Sequence, residues 1–158
     1  MAKQILYLKP VAPDYQLRRG AVKTESTLSV QRQAQAIFDT STNDSAGVAN
    51  TAVGAHGLGV YLPVGAIIKQ AYIQVKTAFT SVDSTATLGF QAATTNDLYA
   101  ATAVSGAPGS TGFKAGVPDG TVTHMISLSA EQQLIANVAV EALTAGKAII
   151  VVEYTLGL

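Results

Sequence analysis

With 158 residues the chain is long enough to bury a core as one domain, and the absence of cysteine excludes disulfides, thiolate catalysis and cysteine-based zinc sites. Only 13% of the residues are charged, about half of the ~25% usual for soluble domains, which suits a protein partly covered by other subunits, or a robust secreted module. The net charge is zero, but residues 1–38 hold six basic and two acidic residues, a net +4, and the remainder is −4.

No segment predicts a signal peptide or a membrane helix. The N-terminal apolar run, Ile5–Leu8, is too short for the core of a signal peptide. The longest strictly apolar run, Ala148–Val152, is far from the ~20 residues that a membrane helix needs.

Residues 1–34 are predicted to form an extended basic arm. They mix polar, basic and isolated apolar residues with two prolines, and the pattern is compatible with a short strand at Gln4–Leu8 and a short helix around Leu28–Ala36. A basic arm ahead of an acidic body indicates contact with another molecule, although a solvated tail is an equal alternative. The residues predicted to make this contact are Lys3, Lys9, Arg18, Arg19, Lys23 and Arg32.

Residues 35–158 are predicted to form the body, which begins with a strand at Ala36–Asp39 and a polar connection at 40–46. Leu58–Leu62 is expected to pair at a sheet edge, because Pro63 cannot donate to a central ladder.

The central strand of the body is predicted within Val60–Phe79. From Ala71 onward the odd positions up to Phe79, Thr77 included, form one buried face, and a bulge near Lys69 would correct the register upstream. A helix also fits the apolar spacing. It is rejected because the segment is rich in β-branched and aromatic residues and has no N-cap residue at its start.

Beyond this strand, the pattern predicts strands at Thr85–Gln91 and Leu98–Ala101. Residues 104–120 are rich in glycine and contain two prolines, which predicts a long loop. Long loops in compact domains are usually functional or disordered, and this loop is predicted to be a contact surface, with Phe113 and Lys114 as its contact residues.

The last third of the chain again has strand character. Strands are predicted at Thr121–Leu128, along Leu134–Ala142 and at Ala148–Leu156, with a tight turn at Leu143–Gly146. Seven or eight strands without a long helix predict an all-β fold, an antiparallel β-sandwich or jelly roll. The predicted core residues are Ile73, Val75, Phe79, Leu134, Val138, Ile150 and Val152.

No motif predicts catalysis, a cofactor or a metal. The only histidines, His56 and His124, lie in different segments and are predicted to be structural, and no nucleophile elbow accompanies them. The acidic run 39–44 lacks the glycine and the glutamate of a calcium loop, and Gly106–Lys114 lacks the Lys-Ser/Thr ending of a phosphate loop. Nucleic-acid binding would depend on the arm alone, and it is not expected, because no aromatic residue interleaves with the only adjacent basic pair, Arg18-Arg19. The positive charge of the arm by itself fits either phosphate or an acidic protein surface.

Fragments of residues 60–158 resemble virion proteins of tailed bacteriophages, in particular capsid decoration (cement) and head-fibre proteins. The fragments are Leu62-Pro-Val-Gly-Ala-Ile-Ile, Val75-Lys-Thr-Ala-Phe-Thr, Lys114-Ala-Gly-Val-Pro-Asp-Gly-Thr, and Leu143-Thr-Ala-Gly-Lys to Val152-Glu-Tyr154. The resemblance implies a sandwich or jelly-roll body that clamps the outer capsid shell, often as a dimer or trimer.

The resulting hypothesis is a non-enzymatic virion protein, made in the host cytoplasm, that decorates the capsid exterior and bridges subunits of the major capsid protein. One alternative is a receptor- or glycan-binding module of a head or tail fibre, although Phe113 is the only aromatic residue of the 104–120 loop. Another is a small jelly-roll coat protein whose arm meets nucleic acid, for which six basic residues are sparse. No membrane partner is expected.

Overall fold

The computed structural model describes residues 31–156, which form two antiparallel sheets packed face to face. One sheet has the order β1-β9-β3-β6, with β7 also paired to β3, and the other has the order β2-β8-β4-β5. The strands are β1 (Arg32–Asp39), β2 (Gly54–Leu62), β3 (Ala66–Ser81), β4 (Thr87–Gln91), β5 (Tyr99–Ala103), β6 (Gly112–Asp119), β7 (Ile126–Ser127), β8 (Gln132–Ala139) and β9 (Leu143–Leu156). The predicted all-β sandwich is confirmed.

The strand pairing is nested from the ends of the body inward. β1 pairs with β9, β2 with β8, β3 with β6 and β4 with β5, all antiparallel. The described chain is therefore one long hairpin rolled into two four-stranded layers, which is the jelly-roll arrangement. The short β7 is an addition to this pattern, at the end of β3.

The sixteen-residue strand β3 is central to the larger sheet, between β9 and β6. Its register with β9 shifts between Ile68 and Gln70, so the bulge predicted at Lys69 is present. A second shift follows Val75, and Thr77, predicted on the buried face, is exposed as a result. Phe79 is nevertheless buried.

The core lies between the two sheets, and all seven predicted core residues are at most 2% exposed. Phe38 of β1 stacks on Phe79 of β3 at 5.8 Å between ring centroids and meets Phe90 of β4 edge-on at 5.9 Å. The contact with Phe90 joins the two sheets, whereas the contact with Phe79 lies within the larger sheet. Each contact is worth roughly 0.5–1.5 kcal/mol beyond the burial of the rings.

The predicted loop at 104–120 is wrong, because it contains β6. A 3₁₀ turn at Ala107–Gly109 precedes this strand, which pairs with β3. The glycines here serve close packing as well as turns. A Cβ on Gly116 would lie 2.5 Å from the carbonyl oxygens of Ala71 and Leu98, so only glycine allows this strand to approach its neighbours.

Two further predictions, a helix near the start of the described chain and a strand after β6, are wrong. The helix around Leu28–Ala36 is contradicted from Arg32 onward, where β1 begins and side chains alternate between the core and the surface. The strand predicted at Thr121–Leu128 is reduced to Ile126–Ser127, and His124 lies in a 3₁₀ turn. The start of β1 also falls within residues assigned to the arm.

The turn predicted at Leu143–Gly146 lies three residues earlier, between the end of β8 at Ala139 and the start of β9 at Leu143. Val140 takes a φ of 71° at this reversal, and Gly146 takes its positive φ of 144° inside β9. No helical segment within residues 31–156 has the length and apolarity needed to cross a membrane.

Candidate interaction surface

The outward side of the larger sheet, which we call the outer face, is the main candidate surface. Strand register aligns its side chains in rows across the four strands. One row is Ile37, Ile149, Gln74 and Phe113, the next is Gln35, Val151, Tyr72 and Ala115, and a third begins Gln33, Glu153 and Gln70.

The first two rows of the outer face carry no charged side chain, and their exposed large hydrophobic residues are Ile37 and Phe113. Ile37 is 58% and Phe113 67% exposed, and the Phe113 ring meets the edge of the Tyr72 ring at 5.9 Å. Val151 points outward and lies outside the core cluster, yet it is only 4% exposed because its neighbours cover it. Contiguous exposed apolar side chains of this kind mark surfaces that bind other molecules.

The polar residues of the first two rows are glutamines, and charges lie only toward the ends of the outer face. Lys147 and Asp39 form an ion pair of 2.9 Å at one end, and Glu153 accepts a 2.7 Å hydrogen bond from Gln31 Nε2 toward the other. The pKa of Asp39 is lowered to about 2, mainly because the Ser41 hydroxyl and backbone N–H donate to its carboxylate, with Lys147 adding to the effect. A partner could cover the centre of this face without desolvating a charge.

The structure separates the two contact residues predicted in the 104–120 segment. Phe113 lies on the outer face, whereas Lys114 alternates away from it and donates from Nζ to Ser110 Oγ at 2.8 Å. Arg32 is exposed at the first position of β1, opposite Tyr154. Five predicted contact residues lie outside the described residues: Lys3, Lys9, Arg18, Arg19 and Lys23.

Three members of the surface, Ile37, Tyr72 and Ile149, are not among the residues predicted from the sequence. A signal is present, because residues 148–152 are apolar at every position and strand side chains alternate. That pattern predicts an interior strand, which β9 is. Its outward residues, however, also supply the middle of an exposed apolar face.

A second surface lies at the end of the sandwich where three connections meet, at 40–53, 82–86 and 140–142. The Glu141 carboxylate holds two of them together by accepting from the Asp83 N–H at 2.9 Å and the Thr85 hydroxyl at 2.9 Å. Its pKa is lowered to about 2 by these groups and, most strongly, by the Ser81 hydroxyl. The third connection is tied in by the Leu143 N–H, which donates to the Thr51 carbonyl.

Each of these connections exposes a valine. Val53 is 56%, Val82 80% and Val140 73% exposed. We call this set the loop end. Its apolar side chains rest on a hydrogen-bonded frame, so they are held in place rather than free to collapse inward.

Both histidines lie beside local oxygen atoms. His56 is buried, with Nε2 2.7 Å from the Ala52 carbonyl and Nδ1 3.3 Å from Asp44, so both ring nitrogens face acceptors and neither faces a hydroxyl. His124 pairs with Asp119 at the surface. Within residues 31–156 no three metal-binding side chains cluster.

No protein-family model matches the chain, and no curated protein matches it in sequence. Its fold is similar to chains in solved phage capsids. One belongs to the acidic stable capsid of Helicobacter pylori bacteriophage KHP30, with a TM-score of 0.58, 18% identity, and coverage of 84% of this chain and 92% of that chain. A chain in the capsid of Ralstonia phage GP4 matches with a TM-score of 0.58 and 18% identity, over 83% of this chain and 87% of that chain. A chain in the capsid asymmetric unit of cyanophage Pam1 matches with a TM-score of 0.55 and 21% identity, over 80% of this chain and 84% of that chain.

Proposed function

We propose that this chain is a structural protein of a phage capsid, which decorates the capsid exterior and bridges subunits of the major capsid protein. The observation that carries the proposal is the likeness to three chains of phage capsids, each covering at least 80% of this chain. Because most of each matched chain is also covered, the likeness extends over a whole jelly roll and not over a shared fragment.

The outer face supports the bridging role. A protein that stabilises a shell must bury surface against neighbouring subunits, and a stable contact takes roughly 800 Å² on each partner. A rigid sheet with exposed Ile37 and Phe113 and a centre without charge provides such a surface at little desolvation cost. The same surface could join copies of this chain into a dimer or trimer.

The experiment is co-sedimentation with empty capsids of the phage that encodes the chain, before and after capsid expansion. Wild-type protein should bind saturably, and Phe113→Asp should weaken binding by tenfold or more. The matched control is Val122→Asp, which adds the same charge at a valine that is 79% exposed and lies off the outer face. Absence of binding to either capsid form, or equal loss in both variants, would contradict the proposal.

A glycan-binding module of a fibre is the second candidate, and one observation favours it. Phe113 is the only aromatic residue of the 104–120 segment, but the ring of Tyr72 on the neighbouring strand lies beside it and provides a second aromatic surface. Sugars bind by stacking on such rings, so glycan-array binding that Phe113→Asp abolishes, without capsid binding, would favour this candidate. Closed shells formed by the purified protein alone would instead favour a coat protein.

A further inference from the structure

Strand β1 has an open edge. The Thr40 N–H donates to the Gly146 carbonyl on β9, and backbone groups alternate in direction along an antiparallel strand. The N–H and C=O groups of Gln33, Gln35 and Ile37 therefore point away from β9. Among residues 31–156, no backbone group of another segment hydrogen-bonds to them.

This edge lacks the protection that the other sheet edges have. β2 carries a register shift between Gly57 and Tyr61, β6 contains Pro118 and a register shift, and β5 is five residues long. β1, by contrast, pairs with β9 in unbroken register over eight residues, and its charges stand only at its two ends. A long, regular, uncharged edge of this kind is a template for another strand.

A groove lies beside the Ile37 end of the open edge, between the 40–53 connection and β2. Its volume is about 230 Å³, and its lining includes Ile37, Asn50, Gly57 and Gly59. Asn50 is only 3% exposed and donates from Nδ2 to the Asp39 carbonyl at 3.0 Å, but its Oδ1 has no partner within the described residues. A buried acceptor without a donor is costly, so a group that donates a hydrogen bond to Asn50 Oδ1 would be stabilised in this groove.

We propose that an extended segment of this chain, Gln4–Leu8, pairs with the open edge of β1 and fills this groove. The available length fits. The Asp39 carbonyl already accepts from the Thr42 N–H and from Asn50, so the free edge spans residues 33–37, as many positions as Gln4–Leu8 has. The segment, Gln-Ile-Leu-Tyr-Leu, consists mostly of residues that pack well in strands and has no proline.

The reach of the chain also fits. Residues 9–30 connect the segment to Gln31 and can span about 70 Å when extended, enough to return to β1 of the same chain or to reach β1 of a neighbouring copy. In the antiparallel orientation Gln4 comes level with Ile37, which brings the N–H groups around Lys3 to the end of the groove that holds Asn50 Oδ1. A whole second body is a poorer occupant, because the 40–53 connection is anchored at Asp39 beside the edge.

Amide hydrogen exchange of the full-length chain, measured without capsids, tests this inference independently of the proposed capsid role. The amides of Gln33, Gln35 and Ile37 should be protected in the wild-type chain and should exchange about 100-fold faster in Leu6→Pro, because proline cannot extend the added ladder. The amides of Ala34 and Ala36 point toward β9 and should not change. Thr24→Pro, a proline in the arm outside the segment, is the control variant.

Each alternative has its own outcome. Fast exchange of the three amides in the wild-type chain, with protection appearing only when capsids are added, would overturn the proposal in favour of a capsid strand. Protection that survives Leu6→Pro but disappears on dilution would overturn it in favour of β1 pairing between two copies. Protection that Leu6→Pro removes supports the proposal, and its dependence on dilution then distinguishes a neighbouring copy from the same chain.

Discussion

Gly146 lies against the ring of Phe79, so closely that a Cβ at position 146 would overlap the ring atoms. Gly146 has a φ of 144°, which side chains rarely allow, and it lies inside β9 where β9 passes β3. Phe79 in turn stacks on Phe38 of β1. One glycine thus makes room for the aromatic cluster that joins the two sheets.

Gly146→Ala should therefore destabilise the fold strongly. The added methyl group forces the Phe79 ring out of its place and also strains the backbone, for a combined cost of about 2–4 kcal/mol. Urea unfolding monitored by circular dichroism measures the change. Gly47→Ala is the matched control, because Gly47 also has a positive φ but a Cβ there meets nothing within 4 Å. Equal losses in the two variants would show that the contact with Phe79 is unimportant.

Phe79→Ala should cost about 3–5 kcal/mol of the free energy of unfolding, because it removes a ring that is 1% exposed and leaves a cavity between the sheets. A loss below about 1 kcal/mol in a denaturant titration would contradict the central place of this residue. In the double variant with Gly146→Ala the two losses should not add, since Phe79→Ala removes the clash.

Glu141→Gln should destabilise the chain at pH 7 and have progressively less effect in acid. The folded-state pKa of Glu141 is about 2, below the ordinary value of 4.5, because the Ser81 hydroxyl, the Asp83 N–H and Thr85 donate to the carboxylate. A lowered pKa means that the stabilisation is complete above pH 4.5 and is lost as pH falls toward 2. Free energies of unfolding for both proteins should therefore converge across this range.

The control for this pH dependence is Glu131→Gln, at an exposed position whose side chain makes no hydrogen bond to another described residue. This variant should follow the wild-type curve at every pH. A difference between wild type and Glu141→Gln that stays constant from pH 7 to pH 2 would show that the carboxylate charge does not hold the connections at 82–86 and 140–142 together.

Val140→Gly should stabilise the chain by about 1 kcal/mol. Val140 has a φ of 71°, a conformation that is strained for a β-branched residue, and its side chain is 73% exposed, so little packing is lost. Val82→Gly, at a position that is 80% exposed and has no positive φ, should give no gain. The thermal midpoint should rise in Val140→Gly and should not rise in Val82→Gly. If Val140→Gly also weakens capsid binding, the loop end takes part in the contact.

The sequence predicted the strands whose apolar residues alternate, and it failed where glycine and proline have a packing role. In β3 and β8 one face is buried and the other is not, so periodicity located them and their core residues. β6 was missed because Gly112, Gly116 and Pro118 suggest a loop, whereas Gly116 is required by backbone carbonyls from distant segments. Contacts of that kind are set by tertiary structure and leave no local signal.

The sequence predicts only part of the candidate surface, again because tertiary contacts decide the rest. The sequence predicts Phe113 as a contact residue of a loop, whereas Phe113 lies exposed on strand β6 beside Tyr72. Which residues surround it depends on the register of β3 with β6 and β9, which the sequence does not specify. The nested strand pairing that creates the outer face joins residues more than a hundred positions apart.

Deletion of residues 1–30 should sharply weaken capsid binding and leave the body folded. The boundary follows from β1, which begins at Arg32, so a cut at residue 34 would remove part of the sheet. The deleted arm has a net charge of +3 and the remaining chain has a net charge of −3. Because a phosphate backbone would repel the negative body, attachment of the arm to protein is favoured.

Apolar residues of the arm should carry much of this attachment, at roughly 1.5–3 kcal/mol each before the cost of ordering. They are Tyr7, Val11, Tyr15, Leu17 and Leu28. A full-length variant with the five arm cations changed to glutamine separates the two contributions, and it should bind more weakly than wild type but better than the deletion. Unchanged affinity of the deletion would assign the contact to the outer face or the loop end. Binding of the full-length chain to DNA or RNA with a steep salt dependence would instead identify nucleic acid, and not the protein shell, as the partner of the arm.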